Sequence, residues 1–413
     1  MVIGSGERQD RARIATLLEW VCGALIVAAA IYYPYLGRLF APVIHSPQFR
    51  DLGILFQISD RLVASGHYEI GIDYYPPSNA ILIHLFSKLG PETAFRVHLV
   101  LQSTAFVLTL AAWGHLIGLT KRRDRLRIAF CACLASLFYL RFELEMHNIN
   151  MLCLGLVSVA LWCRNRPWVA GGAFALAMAL KPYGAVLVLP WMLWHRQYRW
   201  SAACLVWSFL LLGLLPAIWF GPLDAARIYG DWFRSLAITN DPEWIKRFGA
   251  NSLQGGIALL TGMNLGSSAA VWLMRAADLV WLLLLALFFA PALRRKVLPS
   301  GPIMAAELSA ILIAPLPIGG VQQMSRAVVF VVAMMVCAAA IFDEKISSPA
   351  RRGLAIITGV ITVLPWCIPV TQVELVVMFA VCILSLTGLA LARAHFQEVL
   401  STPSKFADVV ADD

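Results

Sequence analysis

Apolar runs long enough to cross a bilayer recur from one end of this chain to the other, and that recurrence limits the fold more than any single residue does. Inside a membrane every backbone N–H and C=O must be paired within the protein, so a chain built of such runs folds as a set of helices. A membrane β-barrel would alternate apolar and polar residues, and no such alternation is present. Composition agrees: of 413 residues, 60% are hydrophobic and 14% charged, too little polar surface to cover a water-soluble body of this length. The expected fold is therefore all-α, a polytopic membrane protein of about twelve transmembrane helices. The nine cysteines lie almost entirely in apolar runs, with no Cys-x-x-Cys pair, and read as small buried hydrophobes.

The runs fall near 13–33, 95–119, 128–143, 149–163, 168–180, 183–194, 201–220, 270–290, 302–316, 327–341, 353–370 and 374–392. The first has a basic lead like that of a signal peptide, but it is long and lacks a clean small-residue cleavage site, so a retained helix is expected. The runs at 168–180 and 183–194 are short for a bilayer core of about 30 Å and suit broken helices beside a cavity. Placing the first residues in the cytoplasm puts most of the 33 lysines and arginines in short inner connections, as in Lys121–Arg127, Arg164–Arg166, Arg196–Arg199 and Arg294–Lys296. The net charge of +9 thus marks membrane sidedness, and no nucleic-acid partner is expected. This reading divides the chain into a cytoplasmic start (1–12), one transmembrane domain (13–392) and a polar, disordered cytoplasmic tail (393–413). Two long outer loops, 34–94 and 221–269, stand out, and long ordered loops are commonly functional.

Polar residues gather at the outer boundary. After Asp51, the apolar positions Leu52, Leu55, Phe56, Ile58 and Leu62 recur at helical spacing, so a short amphipathic helix on the membrane surface is expected, with Asp51 in its first turn. A carboxylate there is either a helix cap, stabilised by the free N–H groups, or a base aimed at a substrate. Ser78 is the expected N-cap of a second surface helix, and Tyr75 either anchors the loop at the interface or lines a sugar pocket. The stretch 141–156 holds Glu143, Glu145, His147, Asn148 and Asn150 where polar groups are costly unless they face a cavity or one another. Lys181, beside Pro182 at a helix break, either snorkels to headgroups or meets a phosphate. Asn251, Ser252 and Gln254 suit helix capping or sugar hydroxyls. Arg326, near Gln322 and Gln323, suits a lipid phosphate or an anchoring role. No nucleotide-binding Gly-rich loop, HExxH or GxSxG occurs, so an activated substrate must arrive within the membrane or at its outer face.

In order along the chain, Asp51, "SGHY" (65–68), "YYPP" (74–77), "HNIN" (147–150), "LKPYG" (180–184) and "NSLQG" (251–255) resemble the polyprenyl-phosphate-mannose-dependent mannosyltransferases of bacterial envelopes, GT-C enzymes of glycosyltransferase family 87. The resemblance covers about residues 20–340. It implies a bacterial inner-membrane enzyme whose active site faces the periplasm, with Asp51 as the catalytic base. The family's Gly-Gln-x-Asn motif appears here as His147-Asn148-Ile149-Asn150, and its later Ser-Pro and Trp-x-His segment is replaced by "APLPIGGVQQMSR" (314–326). Mannose and a pentose such as arabinofuranose are both open as the transferred sugar.

The mechanism expected from these residues is inverting transfer of one sugar from a polyprenyl-phosphate donor to a hydroxyl of a glycan, lipid or protein acceptor. Asp51 would take the hydroxyl proton. Lys181 and Arg326 would hold the leaving phosphate, and Arg50 would keep Asp51 ionised. His147, Asn148, Asn150, Tyr75, Asn251, Ser252, Gln254, Gln322 and Gln323 would line the sugar site. Apart from donor, acceptor and membrane lipid no partner is expected, and no metal or other cofactor. A lipid-linked saccharide transporter or flippase is the first alternative, but no internal repeat is visible. An O-antigen polymerase or ligase is the second, but it would place its main outer loop late in the chain.

Overall fold

The computed structural model describes residues 50–70, 75–146, 148–182, 185–238, 268–316, 328–343, 345–367 and 370–401. Every regular element among them is helical. The first half comprises α1 (Arg50–Ser65), α2 (Pro77–Ser87), α3 (Pro91–Ile117), α4 (Arg122–Ala135), α5 (Leu137–Met146), α6 (Asn150–Trp162), α7 (Pro167–Leu180) and α8 (Ala185–Trp194). The second comprises α9 (Tyr198–Ser208), α10 (Leu215–Phe220), α11 (Pro222–Ile238), α12 (Ser268–Leu293), α13 (Gly301–Ile313), α14 (Phe330–Phe342), α15 (Ser348–Cys367) and α16 (Val370–Ser401). Four stretches are long and apolar enough to cross a membrane: Glu92–Ile117, Tyr198–Phe220, Arg275–Leu293 and Phe379–Ser401. Several shorter apolar helices pack among them, including α6, α7, α13 and α14. The chain is a multi-pass helical membrane protein.

The expected run 13–33 lies outside the described residues. Helices occupy the positions of the others, with two departures. The run 128–143 is not one helix but two, α4 and α5. The Ser136 N–H closes α4 on the Ala132 carbonyl at 3.0 Å, and its own carbonyl accepts from Tyr139 and Leu140 to start α5. The expected tail from 393 is also helical as far as Ser401, because its polar residues have partners inside the fold. Arg393 donates to the Phe288 carbonyl and lies 4.1 Å over that ring, and His395 Nε2 is 2.9 Å from Asp343 Oδ2.

Helix pairs at the centre approach closely through small residues, the usual device where lipid removes most of the hydrophobic drive for helix association. A Cβ added at Gly155 of α6 would lie 2.5 Å from Ala105 Cβ of α3, and one at Gly171 of α7 would lie 2.6 Å from the Ala203 backbone of α9. Trp113 crosses the first contact to donate to Ser158 at 3.0 Å.

Between α9 and α10 the helix widens into a π segment, Phe209–Leu214. Pro216 follows it and has no N–H to give the Leu212 carbonyl four residues back. Tyr229 of α11 supplies the missing donor through its hydroxyl. Burial pushes the Tyr229 phenol up to about 12, so it keeps its proton.

Helices α1, α2 and α11 share a cluster of Leu62, Ala80 and Ile228 with Tyr68. Leu52, Leu55 and Phe56 of α1 pack against Ile83 of α2, Phe95 and Leu99 of α3, and Ile149, Cys153 and Leu180. The amphipathic face of α1 is thus covered by protein. Asp60 ties α1 to α2 by accepting from Ser87 at 3.0 Å and pairing with His84 at 2.6 Å. Ser78 is not the N-cap of α2: that position is Pro76, and α2 begins at Pro77. Ser78 instead donates to the Ala179 carbonyl at 3.2 Å, and Asn79 to the Leu180 carbonyl at 2.7 Å. These bonds satisfy carbonyls at the open end of α7 and dock α2 next to Lys181.

Candidate active site

The end of α7 explains why a lysine can be buried here. Pro182 cannot continue the helix and forces the preceding residue towards extended backbone. Lys181 accordingly has φ −162° and ψ 103°. Helices α7 and α8, on either side of this break, have 14 and 10 residues, each too short to cross about 30 Å of hydrocarbon alone. The break places the Lys181 ammonium inside the protein, with the residue only 3% exposed.

Its partner is Asn148. Lys181 Nζ donates to Asn148 Oδ1 at 3.0 Å, and its ammonium lies 5.3 Å from the centre of the Tyr75 ring. Asn148 Nδ2 in turn donates to Asp51 Oδ2 at 2.6 Å. One side-chain amide therefore joins a carboxylate to a cation: the acceptor half faces the cation and the donor half faces the anion. Asp51 stands in the first turn of α1, as expected, and is half-buried.

Asn148 is fully buried and held from several sides. Its Oδ1 also accepts from the Ile149 N–H at 2.8 Å, and Gln102 Nε2 of α3 donates to its backbone carbonyl. With two donors on Oδ1 and the aspartate on Nδ2, the amide orientation is determined, because a flipped amide would set donor against donor.

Glu143 near the end of α5 supports this loop. Its carboxylate accepts from the Met151 N–H at 2.8 Å and from Asn150 Nδ2 at 3.0 Å. The Met151 N–H is one of the unpaired donors in the first turn of α6, whose own N-cap, Ile149, has no capping side chain. Glu143 therefore caps α6 from a neighbouring helix. The side chain is fully buried.

Of the residues singled out from the sequence, Asp51, Asn148 and Lys181 form one hydrogen-bonded chain, with Tyr75 over the lysine and Asn150 on Glu143. Arg50 opens α1. His147, Asn251, Ser252, Gln254, Gln322, Gln323 and Arg326 lie outside the described residues. Gln102 was not singled out, although a buried amide in the apolar run of α3 is the kind of signal that marks such a role. Tyr68, the last residue of the "SGHY" stretch, is 1% exposed and donates to the Tyr75 carbonyl at 3.1 Å. Among the described residues no three His, Cys, Asp or Glu side chains form a group that could hold a metal.

The family model of glycosyltransferase family 87 matches residues 74–317, more than half of the chain. A polyprenol-phosphate-mannose-dependent alpha-(1-2)-phosphatidylinositol mannoside mannosyltransferase of Mycobacterium tuberculosis is 29% identical over 228 residues. That match covers 49% of this chain and 52% of the relative, so the chain spans about half the length of the curated relative it matches. Among solved structures, ArnT of Cupriavidus metallidurans bound to undecaprenyl phosphate aligns over 94% of this chain and 79% of its own, at a TM-score of 0.39 and 13% identity.

Proposed function

The chain belongs to glycosyltransferase family 87, and from that premise we propose that it transfers one sugar, with inversion, from a polyprenyl-phosphate donor to an acceptor hydroxyl at the outer face of a bacterial inner membrane. The observation that carries this reading is the Asp51–Asn148–Lys181 chain, a carboxylate and a buried cation held apart by one amide. The reaction needs those two charges. As the acceptor oxygen attacks the anomeric carbon, Asp51 takes its proton. The bond from the anomeric carbon to the phosphate oxygen breaks, and polyprenyl phosphate leaves with the electron pair. Its charge is met by Lys181, a cation already desolvated and oriented. The leaving group needs no proton, so a second carboxylate acid of the glycosidase kind is unnecessary.

Asn148 and Tyr75 fix Lys181 before substrate arrives, and Glu143 with Gln102 fixes Asn148. The proposed substrate set further includes Arg50, His147, Asn150, Asn251, Ser252, Gln254, Gln322 and Gln323, with Arg326 as a second phosphate cation. The mannose in the relative's name makes mannose the first sugar to test, and a pentose such as arabinofuranose the second. Acceptors of three classes fit the chemistry: a glycan, a lipid or a protein hydroxyl. The twelve-span topology and the outer loops 34–94 and 221–269 belong to the same proposal.

Purified protein, given polyprenyl-phosphate-mannose and a mixture of envelope acceptors, should release polyprenyl phosphate in step with a mass gain of one sugar on an acceptor. Movement of intact donor across a vesicle membrane, with no release, would make the protein a transporter and overturn this reading.

A further inference from the structure

At the end of the bundle remote from Lys181, the fold encloses a second polar site. A cavity of about 600 Å³ lies where the C-termini of α3, α14 and α16 meet the N-termini of α4 and α13. Its polar lining is Lys121, Arg123, Arg127 and Lys345, with Asp124 and Asp343. Four cations thus face two carboxylates. Asp343 is already engaged, since its carboxylate pairs with His395 at 2.9 Å and accepts from the Lys345 N–H at 3.0 Å. The Arg127 guanidinium is set in place 5.4 Å over the Phe342 ring.

The rest of the lining is apolar and reaches the outside. Phe342, at the end of α14, is 41% exposed, and Leu400, near the end of α16, is 58% exposed. A soluble anion would have no use for that rim. A molecule with a negative head and a hydrocarbon tail would use both parts. The connections bearing these cations are among those the charge distribution assigns to the cytoplasmic side. Basic pockets at helix ends on that side suit anionic headgroups, which lie at that depth.

We propose that this cavity binds the phosphodiester headgroup of an anionic phospholipid of the adjoining leaflet, with the acyl chains leaving over Phe342 and Leu400. Lys121 and Arg123 meet the phosphate at the mouth, and Arg127 meets it further in. The site is separate from the sugar-transfer site and is independent of which sugar that site uses.

Native mass spectrometry of the full-length protein in neutral detergent tests this. Phosphatidylglycerol should be retained in preference to phosphatidylcholine at equal concentration. The double variant Lys121→Gln/Arg123→Gln should weaken phosphatidylglycerol binding about twenty-five-fold, taking each near-surface charge as about fivefold. Both side chains are exposed, so the substitutions leave packing intact. The control Lys88→Gln/Arg96→Gln, at exposed positions on the opposite end, should bind as the wild type does. Sugar transfer in neutral detergent should be unchanged in both variants. Equal retention of the two lipids, or unaltered binding by the double variant, would overturn the proposal. So would equal retention of soluble glycerol phosphate, which would make the ligand a free phosphate.

Discussion

Asn148 Nδ2 sits 2.6 Å from Asp51 Oδ2, and the two residues are 97 positions apart in the chain. The same amide accepts from Lys181 at 3.0 Å. A carboxylate and a cation are thereby held at one fixed separation by a group too short to let either drift. Base catalysis and leaving-group stabilisation both depend on such positioning.

Replacing the proposed base tests its role directly. Asp51→Asn retains an oxygen to accept from Asn148 but cannot take a proton at neutral pH. Transfer should fall about 10²–10⁴-fold while donor binding and melting temperature stay near wild type. Radiolabelled sugar transfer and donor binding, measured on one preparation, check this. Full activity in Asp51→Asn would end the assignment.

Lys181→Met keeps the volume of the stem and removes the charge. Donor affinity should fall, with KM for the donor rising at least tenfold, because a phosphate contact with a charged donor contributes more than a neutral one. An unchanged kcat/KM for the donor would end the phosphate role.

Asn148→Ala removes the link and leaves a buried ammonium without its oxygen. Both kcat and stability should drop, with about 1–3 kcal/mol lost from the unsatisfied buried group. Asn148→Gln offers the same amide on a longer stem, so it should recover stability in thermal melts more fully than it recovers kcat.

Glu143→Ala strips the cap from α6 and leaves the Met151 N–H and Asn150 without their acceptor. The expected loss is again about 1–3 kcal/mol of stability. Glu143→Gln keeps one acceptor oxygen and should fold better while remaining partly impaired in transfer. A wild-type rate in Glu143→Ala would show that the loop holds Asn148 without it.

Gly171→Val tests the helix approach independently of chemistry. Its Cβ would meet the Ala203 backbone at 2.6 Å, which cannot yield as a flexible side chain would. A loss of about 1–3 kcal/mol and a lower melting temperature in detergent are expected.

The sequence by itself determined the class of fold. Long apolar runs leave the backbone no choice but helix, and the positions of those runs follow from hydropathy alone. It also determined which residues were chemically unusual: Asp51, Asn148 and Lys181 are polar groups at places where an apolar chain gains nothing from them. The break at Lys181 was legible too, because the effect of Pro182 on its neighbour is local. What each polar residue does was decided only by the tertiary structure. Ser78 looked like a cap by its position, yet its hydroxyl serves the Ala179 carbonyl 101 residues away. Glu143 looked like a site carboxylate, yet it caps a helix other than its own. Gln102 and Asn148 meet because α3 and α6 approach through Gly155, a contact no local pattern encodes. Periodicity and local propensity act over a few residues, whereas hydrogen-bond satisfaction in a membrane acts across whatever the packing brings together.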